Sequence, residues 1–336
     1  MTREVFGTLP DGQTVERITI SAHGLTLSVL TLGATVQDLR LEGVDHPLVL
    51  GFPALEPYLG EGRYVGAIVG RCANRIARGH ARIDDLTLEL DRNEAGRTTL
   101  HGGSDGTGTR NWAVGEISAD AIALSDYLPD GHMGFPGAML VHVRYRLLPG
   151  AVLQIEMLAT SSETTLCNFA QHSYFNLDGS DSIADHVLTI PAESWLPVDD
   201  TLIPLGDPAP VQGSHLDFRT PVRLGERLDG PLIDHNLCLS EHKHKLTQPA
   251  ATLEAGGLRM QIASTEPGIQ VYAADHMRPG ATGIGGRPYG QHAGIALESQ
   301  LWPDAVHHPG YPSVLLSPGQ LYRQTTSFSF TRVTGS

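Results

Sequence analysis

Three groups of polar residues carry more chemistry than turns or core packing require. Gly70-Arg71-Cys72-Ala73-Asn74-Arg75-Ile76, followed by Leu100-His101-Gly102-Gly103, gathers side chains able to donate several hydrogen bonds to a small polar ligand. In Gln171-His172-Ser173-Tyr174-Phe175-Asn176-Leu177, a His, a Ser and an Asn interrupt an otherwise apolar, strand-like run. A histidine alone in such a run ordinarily reads as a satisfied core residue. The third group runs from Gly294 to Asp304, with Glu298 directly after Ile295-Ala296-Leu297. That apolar run wants burial, and burying an unpaired carboxylate costs several kcal/mol. A Glu at this place has a dedicated partner or is held for chemistry.

Other patterns point to chemistry and fail on their context. Gly102-Gly103-Ser104-Asp105-Gly106 matches GxSxG, but a nucleophile elbow joins a strand to a helix and the following Thr-Gly-Thr-Arg-Asn-Trp is turn-like. His242-Lys243-His244 is flanked by Glu241 and Lys245, with no third ligand at a persuasive spacing, so it reads as a solvated loop. His307-His308 before Pro309 is discounted in the same way. There is no P-loop and no complete GxGxxG. Cys72, Cys167 and Cys238 are odd in number and in no ligand pattern, which suits reduced thiols in the cytosol. The expectation is an enzyme with neither metal nor cofactor.

These residues need a scaffold, and the chain's punctuation says which. Gly and Pro number 38 and 22 among 336 residues and are spread throughout, as in a fold of many short strands and turns. Between them the hydrophobic period is mostly two. Met139, Val141, Val143, Tyr145 and Leu147 share one face, and Leu153, Ile155, Met157 and Ala159 follow Pro149-Gly150, predicting an antiparallel hairpin. Val15 to Ser21, Gly24 to Thr31, Ala121 to Ser125, Asp185 to Ile190, Leu258 to Ala263 and Ile269 to Ala273 also read as strands. The best helix candidate, Pro53 to Leu59, is barely two turns, which argues against Rossmann and TIM-type folds. Residues 276 to 293 form the longest strand-free stretch, and such loops are often functional. The reading is one large all-β domain over residues 1–336.

Charge and hydropathy narrow the partners. The formal net charge of −14 argues against nucleic acid, where affinity comes from Lys and Arg on phosphates. No apolar run approaches the roughly 20 residues that cross a bilayer, and the N-terminal Met-Thr-Arg-Glu-Val-Phe-Gly lacks an apolar signal region. A cytoplasmic protein is expected.

Taken in order, Asn74-Arg75, Leu100-His101-Gly102-Gly103, His172 to Leu177, Asp234-His235-Asn236, Gly268-Ile269-Gln270-Val271-Tyr272 and Leu297-Glu298-Ser299-Gln300-Leu301-Trp302-Pro303-Asp304-Ala305 resemble the aldose 1-epimerases, or galactose mutarotases. Gly134-Phe135-Pro136-Gly137, Leu216-Asp217-Phe218-Arg219 and Tyr311 to Gly319 extend the resemblance over nearly the whole chain. It implies a large antiparallel β-sandwich with an open sugar cleft. It also implies a reaction, the interconversion of α and β anomers of a free aldose through ring opening. Such a reaction needs one general base and one general acid. The resemblance places the base at Glu298 and the acid at His172, with Asn74, Arg75, His101, Asp234 and Gln270 holding the sugar.

The chain departs from the family pattern at Gln171, where many relatives carry Asn or Thr, at Ala273-Ala274-Asp275 and at His307-His308-Pro309. These departures bear on the preferred sugar, for which galactose, glucose, arabinose, xylose and fucose are all candidates, and the Gln171 change bears on the histidine's hydrogen bonding. A hexose-6-phosphate mutarotase would need extra basic side chains to clamp a phosphate. A sugar-binding protein without activity would have no use for an acid–base pair. A glycoside hydrolase would need two carboxylates spaced across a glycosidic bond. The partner expected is a monosaccharide, and the protein a monomer or homodimer.

Overall fold

The clearest alternation in the sequence becomes a long hairpin in the computed structural model, which describes residues 1–278 and 280–333. Met139–Leu148 pairs antiparallel with Val152–Ser161 across Pro149-Gly150. Gly150 takes a φ of 86°, which glycine adopts without steric cost. Met139, Val141, Val143, Tyr145 and Leu147 are all fully buried, and the residues between them face outward.

This hairpin lies in a nine-stranded antiparallel sheet. Its spatial order is Ala113–Ile117, Ala121–Leu128, Met139–Leu148, Val152–Ser161, Tyr322–Arg332, Leu258–Ser264, Gln248–Ala255, Val187–Thr189 and Val222–Arg223. A six-stranded sheet runs Tyr174–Phe175, Ile295–Gln300, Gly268–Tyr272, Asp234–Cys238, Ser194–Trp195 and Ala209–Pro210. A four-stranded sheet joins Thr2–Thr8, Thr14–Ala22, Leu25–Leu30 and Val36–Leu41 in sequence order. The inner faces meet in one main core. Ile20 and Leu27 come from the four-stranded sheet, Val143, Met157, Met260 and Phe328 from the nine-stranded one, and Leu237, Val271 and Leu297 from the six-stranded one. Phe175 and Phe328 span two of the layers with ring centroids 5.2 Å apart. The fold is therefore all-β, as the period of two predicts, and a sandwich, as the resemblance implies.

Among the described residues there is no α-helix. Pro53 to Leu59 yields only a 3₁₀ turn at Glu56–Leu59. No described helix is long and apolar enough to cross a membrane.

Candidate active site

In the six-stranded sheet, alternation sends Leu237, Ile269, Val271 and Leu297 into the core and leaves Asp234, Asn236, Gln270 and Glu298 on the other face. The register then fixes which of these are neighbours. Asn236 lies opposite Gln270 and Gln270 opposite Glu298, while Asp234 lies opposite Tyr272 and Tyr272 opposite Ala296. Tyr174 pairs with Ala296 and Phe175 with Ile295. Continued two residues along, that register brings His172 across from Glu298. Its Nε2 sits 3.6 Å from Glu298 Oε1.

The backbone holds His172 at both ends of its peptide: its N–H donates to the Ala67 carbonyl, and its carbonyl accepts from Gly66 N–H. Gln171 turns away from the imidazole. Its amide donates to the Gly66 carbonyl and to Ser173 Oγ, and accepts from Ser173 N–H. The departure at Gln171 thus supports the strand under the histidine and does not touch the ring.

The first polar cluster folds as one unit. Arg75 pairs with Leu100 and Ile76 with Thr99, which brings Asn74 beside His101. Asn74 N–H donates to His101 Nδ1 at 3.2 Å, so the neutral ring carries its proton on Nε2. Gly102 has a φ of +86°, and a Cβ there would lie 2.0 Å from the Gly70 carbonyl oxygen. Only glycine lets the His101 turn press against Gly70-Arg71. Arg71 is itself buried and donates to the carbonyls of Pro136 and Gly137, tying the Gly134-Phe135-Pro136-Gly137 motif to this cluster. The GxSxG match belongs to the same turn and leads only into a 3₁₀ turn at Thr107–Thr109.

Arg75 is aimed by Glu94, whose carboxylate accepts from Nε and Nη2 at 2.9 Å each, and its Nη1 reaches to 3.7 Å from Asp234 Oδ2. Burial opposes the guanidinium charge, but Asp234 and Glu94 outweigh it and keep the group firmly protonated. Gln270 donates to Asp234 Oδ1 at 2.6 Å. Asp234 is therefore braced from two sides.

Burial dominates the electrostatics of the acid–base pair. It raises Glu298 to about 8, with the Asp234 charge adding to the shift and Arg75 opposing it. It lowers His172 to about 4, against its own backbone carbonyl and Asp234. His101 is also pushed well below its ordinary value by burial, then by His172 and Arg75. Each member of the pair is thus moved away from the value its residue type would suggest.

His172, Glu298, Asn74, Arg75, His101 and Asp234 line one cleft of 170 Å³. Tyr64, Leu100, Tyr174, Tyr272 and His276 complete its walls. Gln270 does not line it. It shares a row with Asn236 and Glu298, and its amide is turned to Asp234. Of the added residues, Tyr174 and Tyr272 lie inside motifs already marked in the sequence, and His276 opens the long 276–293 stretch. Tyr64 and Glu94 come from loops without a legible signal. Two wider recesses open off the cleft, one of 470 Å³ sharing Tyr64, Tyr174, Tyr272 and His276, the other of 510 Å³ sharing Arg75 and His276.

The remaining histidine patterns are accounted for without a ligand. The His242-Lys243-His244 loop is exposed at His242 and half-buried at Lys243 and His244, and Lys243 turns its charge inward. Its Nζ lies 2.8 Å from Glu266 Oε1 and 3.9 Å above the Tyr322 ring, because Glu266 is buried and needs a counter-charge. His307 Nδ1 bonds Asp304 Oδ1 at 2.7 Å, and the same oxygen accepts from Ala77 N–H. Among the described residues no group of three or more His, Cys, Asp or Glu is placed to hold a metal ion.

Comparison with known proteins matches residues 16–329 to the aldose 1-epimerase family model. Galactose mutarotase of Homo sapiens is 40% identical over 339 residues, covering 98% of both chains. Aldose 1-epimerase of Escherichia coli K12 is 30% identical over 98% of this chain and 99% of its own. Among solved structures, a GalM/aldose epimerase homologue from C. elegans superposes with a TM-score of 0.87 at 29% identity, over 95% of this chain and 99% of that one. Galactose 1-epimerase from Lactobacillus acidophilus gives the same TM-score at 26% identity, over 99% of both. The chain belongs to the aldose 1-epimerase family.

Proposed function

We propose that this protein interconverts the α and β anomers of a free aldose, with Glu298 as the base and His172 as the acid. The observation that carries the reading is the buried pair at 3.6 Å on the wall of a small polar cleft. In a cyclic aldose the anomeric hydroxyl O1 and the ring oxygen O5 are bonded to the same carbon, so a closely spaced base and acid can serve both. Glu298 takes the O1 proton while His172 gives its proton to O5. The C1–O5 electrons leave with O5, and C1 becomes the aldehyde carbon. After rotation about C1–C2, O5 attacks the other face and the two protons return. No net proton is exchanged, so each turnover restores both groups.

The electrostatics support a pair that works with one shared proton. Between about 4 and about 8 the pair holds a single proton, on the carboxyl in the empty cleft because burial disfavours both charged forms. The reactive arrangement, carboxylate with imidazolium, has the same proton count. An O1 hydroxyl donating to Glu298 and an O5 accepting from His172 favour it, since each bonds the charged form. Asp234 is an acceptor only and Arg75 a donor only, so together they can read sugar hydroxyls of either sense. Asn74 and His101 add donors, with His101 held neutral. Gln270 acts through Asp234.

The match over 16–329 supports reading the chain as one catalytic domain. Three buried free thiols support a reducing, cytoplasmic setting, and we take the protein to be a monomer or homodimer. Substituting His172 or Glu298 by alanine tests the assignment. Rate losses of about 10²–10⁴-fold are expected for either variant, and near wild-type kcat would remove that residue from the mechanism.

A further inference from the structure

A second polar group lies under the catalytic one, on the same face of the same sheet. Two residues beyond Glu298 is Gln300, opposite Gly268, which is opposite Cys238. Gln300 is 0% exposed and neither atom of its amide has a hydrogen-bond partner. Asn236 Oδ1, Gln270 Oε1 and Glu298 Oε2 are likewise buried and unpartnered. Asn236 Nδ2 finds only the Cys238 sulfur at 3.8 Å. Such groups are few in native proteins, and here they gather on three adjacent strands. Four are oxygens that accept, set against the one unused NH₂ group of Gln300. Gly268 makes room for this arrangement: a Cβ there would lie 2.5 Å from Asn236 Oδ1 and 2.9 Å from Trp302 Cδ1.

We propose that Asn236, Gln270 and Gln300 bind internal water beneath Glu298, and that this water donates a hydrogen bond to Glu298 Oε2. Two waters bring four donors for the four oxygens and accept from the Gln300 NH₂, which closes the account. A buried polar site with several convergent partners is the kind that holds ordered water, whereas an apolar one stays dry. The three amides do not touch the sugar. They are positioning residues, acting through the carboxylate, and favour its ionised form from the side opposite the substrate. The kinetic part of this inference rests on Glu298 as the base.

The test joins kinetics to a direct view. Gln300→Met keeps the volume and removes the amide. Without the water's donor the carboxylate holds the pair's single proton more tightly, so the alkaline limb of kcat/KM moves up by about one pH unit and the plateau falls, with KM unchanged. Gln300→Asn, which restores an amide, moves it back. Should Gln300→Met fail to fold, Gly268→Ala displaces the Asn236 amide and is expected to move the same limb. An unmoved limb in a folded variant overturns the proposal. High-resolution diffraction from the wild-type protein is expected to show water within hydrogen-bonding distance of Gln300 and Glu298 Oε2, and amides satisfied by one another without water would overturn it. A wild-type protein with no mutarotase activity but with that water present would refute the function and leave the binding site standing.

Discussion

Glu298 is held in a place that resists its own charge. The unfolded chain gives up this proton near the ordinary 4.5 and the folded chain near 8, so the group's contribution to stability is complete below 4.5 and is lost as pH rises to about 8. Glu298→Gln has no such proton. It is expected to gain on the wild type across that window, by about 1–2 kcal/mol at its upper end, while losing activity. Denaturant unfolding at pH 4.5 and pH 8 measures the difference; a variant less stable at both would contradict it. His172 works the other way. Its proton affinity is depressed to about 4, so acid costs the folded state stability as pH falls from the ordinary 6.5 through 4. The two together bound the active range. Below about 4 both hold protons and the base is gone, and above about 8 the pair has lost its proton and the acid is gone. A bell-shaped kcat/KM profile spanning these limits is expected.

At the scale of elements, the site is a grid of neighbouring strands. Asp234, Tyr272, Ala296 and Tyr174 make one row, and Asn236, Gln270 and Glu298 the next, with His172 closing it by continuation of the register. A one-residue slip would turn every one of these side chains into the core. Support for the ligand-binding residues should therefore show in KM before kcat. Asp234→Asn removes charge facing Arg75 and is expected to raise KM, whereas unchanged kinetics would take Asp234 out of the site. The Gly102 turn is a backbone device. Gly102→Ala is expected to cost about 1–3 kcal/mol and to lower activity by moving His101, since a Cβ meets the Gly70 carbonyl at a positive φ. A thermal midpoint equal to wild type would contradict this. Part of the grid is legible in the sequence: Ile269 to Ala273 and the run around His172 read as strands, and the resemblance brings Asp234 and Glu298 to one cleft, whereas the pairing of their strands leaves no mark. Gln270 is legible as a site residue, but not that its amide is turned to Asp234 and away from the cleft. Glu94 and Tyr64 are hidden because loop approach leaves no periodic trace. The shifted proton affinities of Glu298 and His172 are hidden for a related reason, since burial is a property of the assembled sheets.

For the molecule as a whole, the three largest sheets close one core, and the six-stranded one turns its other face to the cleft. The six-stranded sheet is apolar toward Phe328 and Met260 and polar toward the cleft, so folding and catalysis use opposite sides of the same strands. The central claim is that this cleft speeds anomer exchange without altering the anomer equilibrium. Polarimetry on freshly dissolved α-D-galactose and α-D-glucose, with and without the purified protein in chelator-containing buffer, tests it most directly. Faster relaxation to an unchanged final rotation is predicted, with acceleration lost in Glu298→Gln. No acceleration with these or any other free aldose would contradict the account.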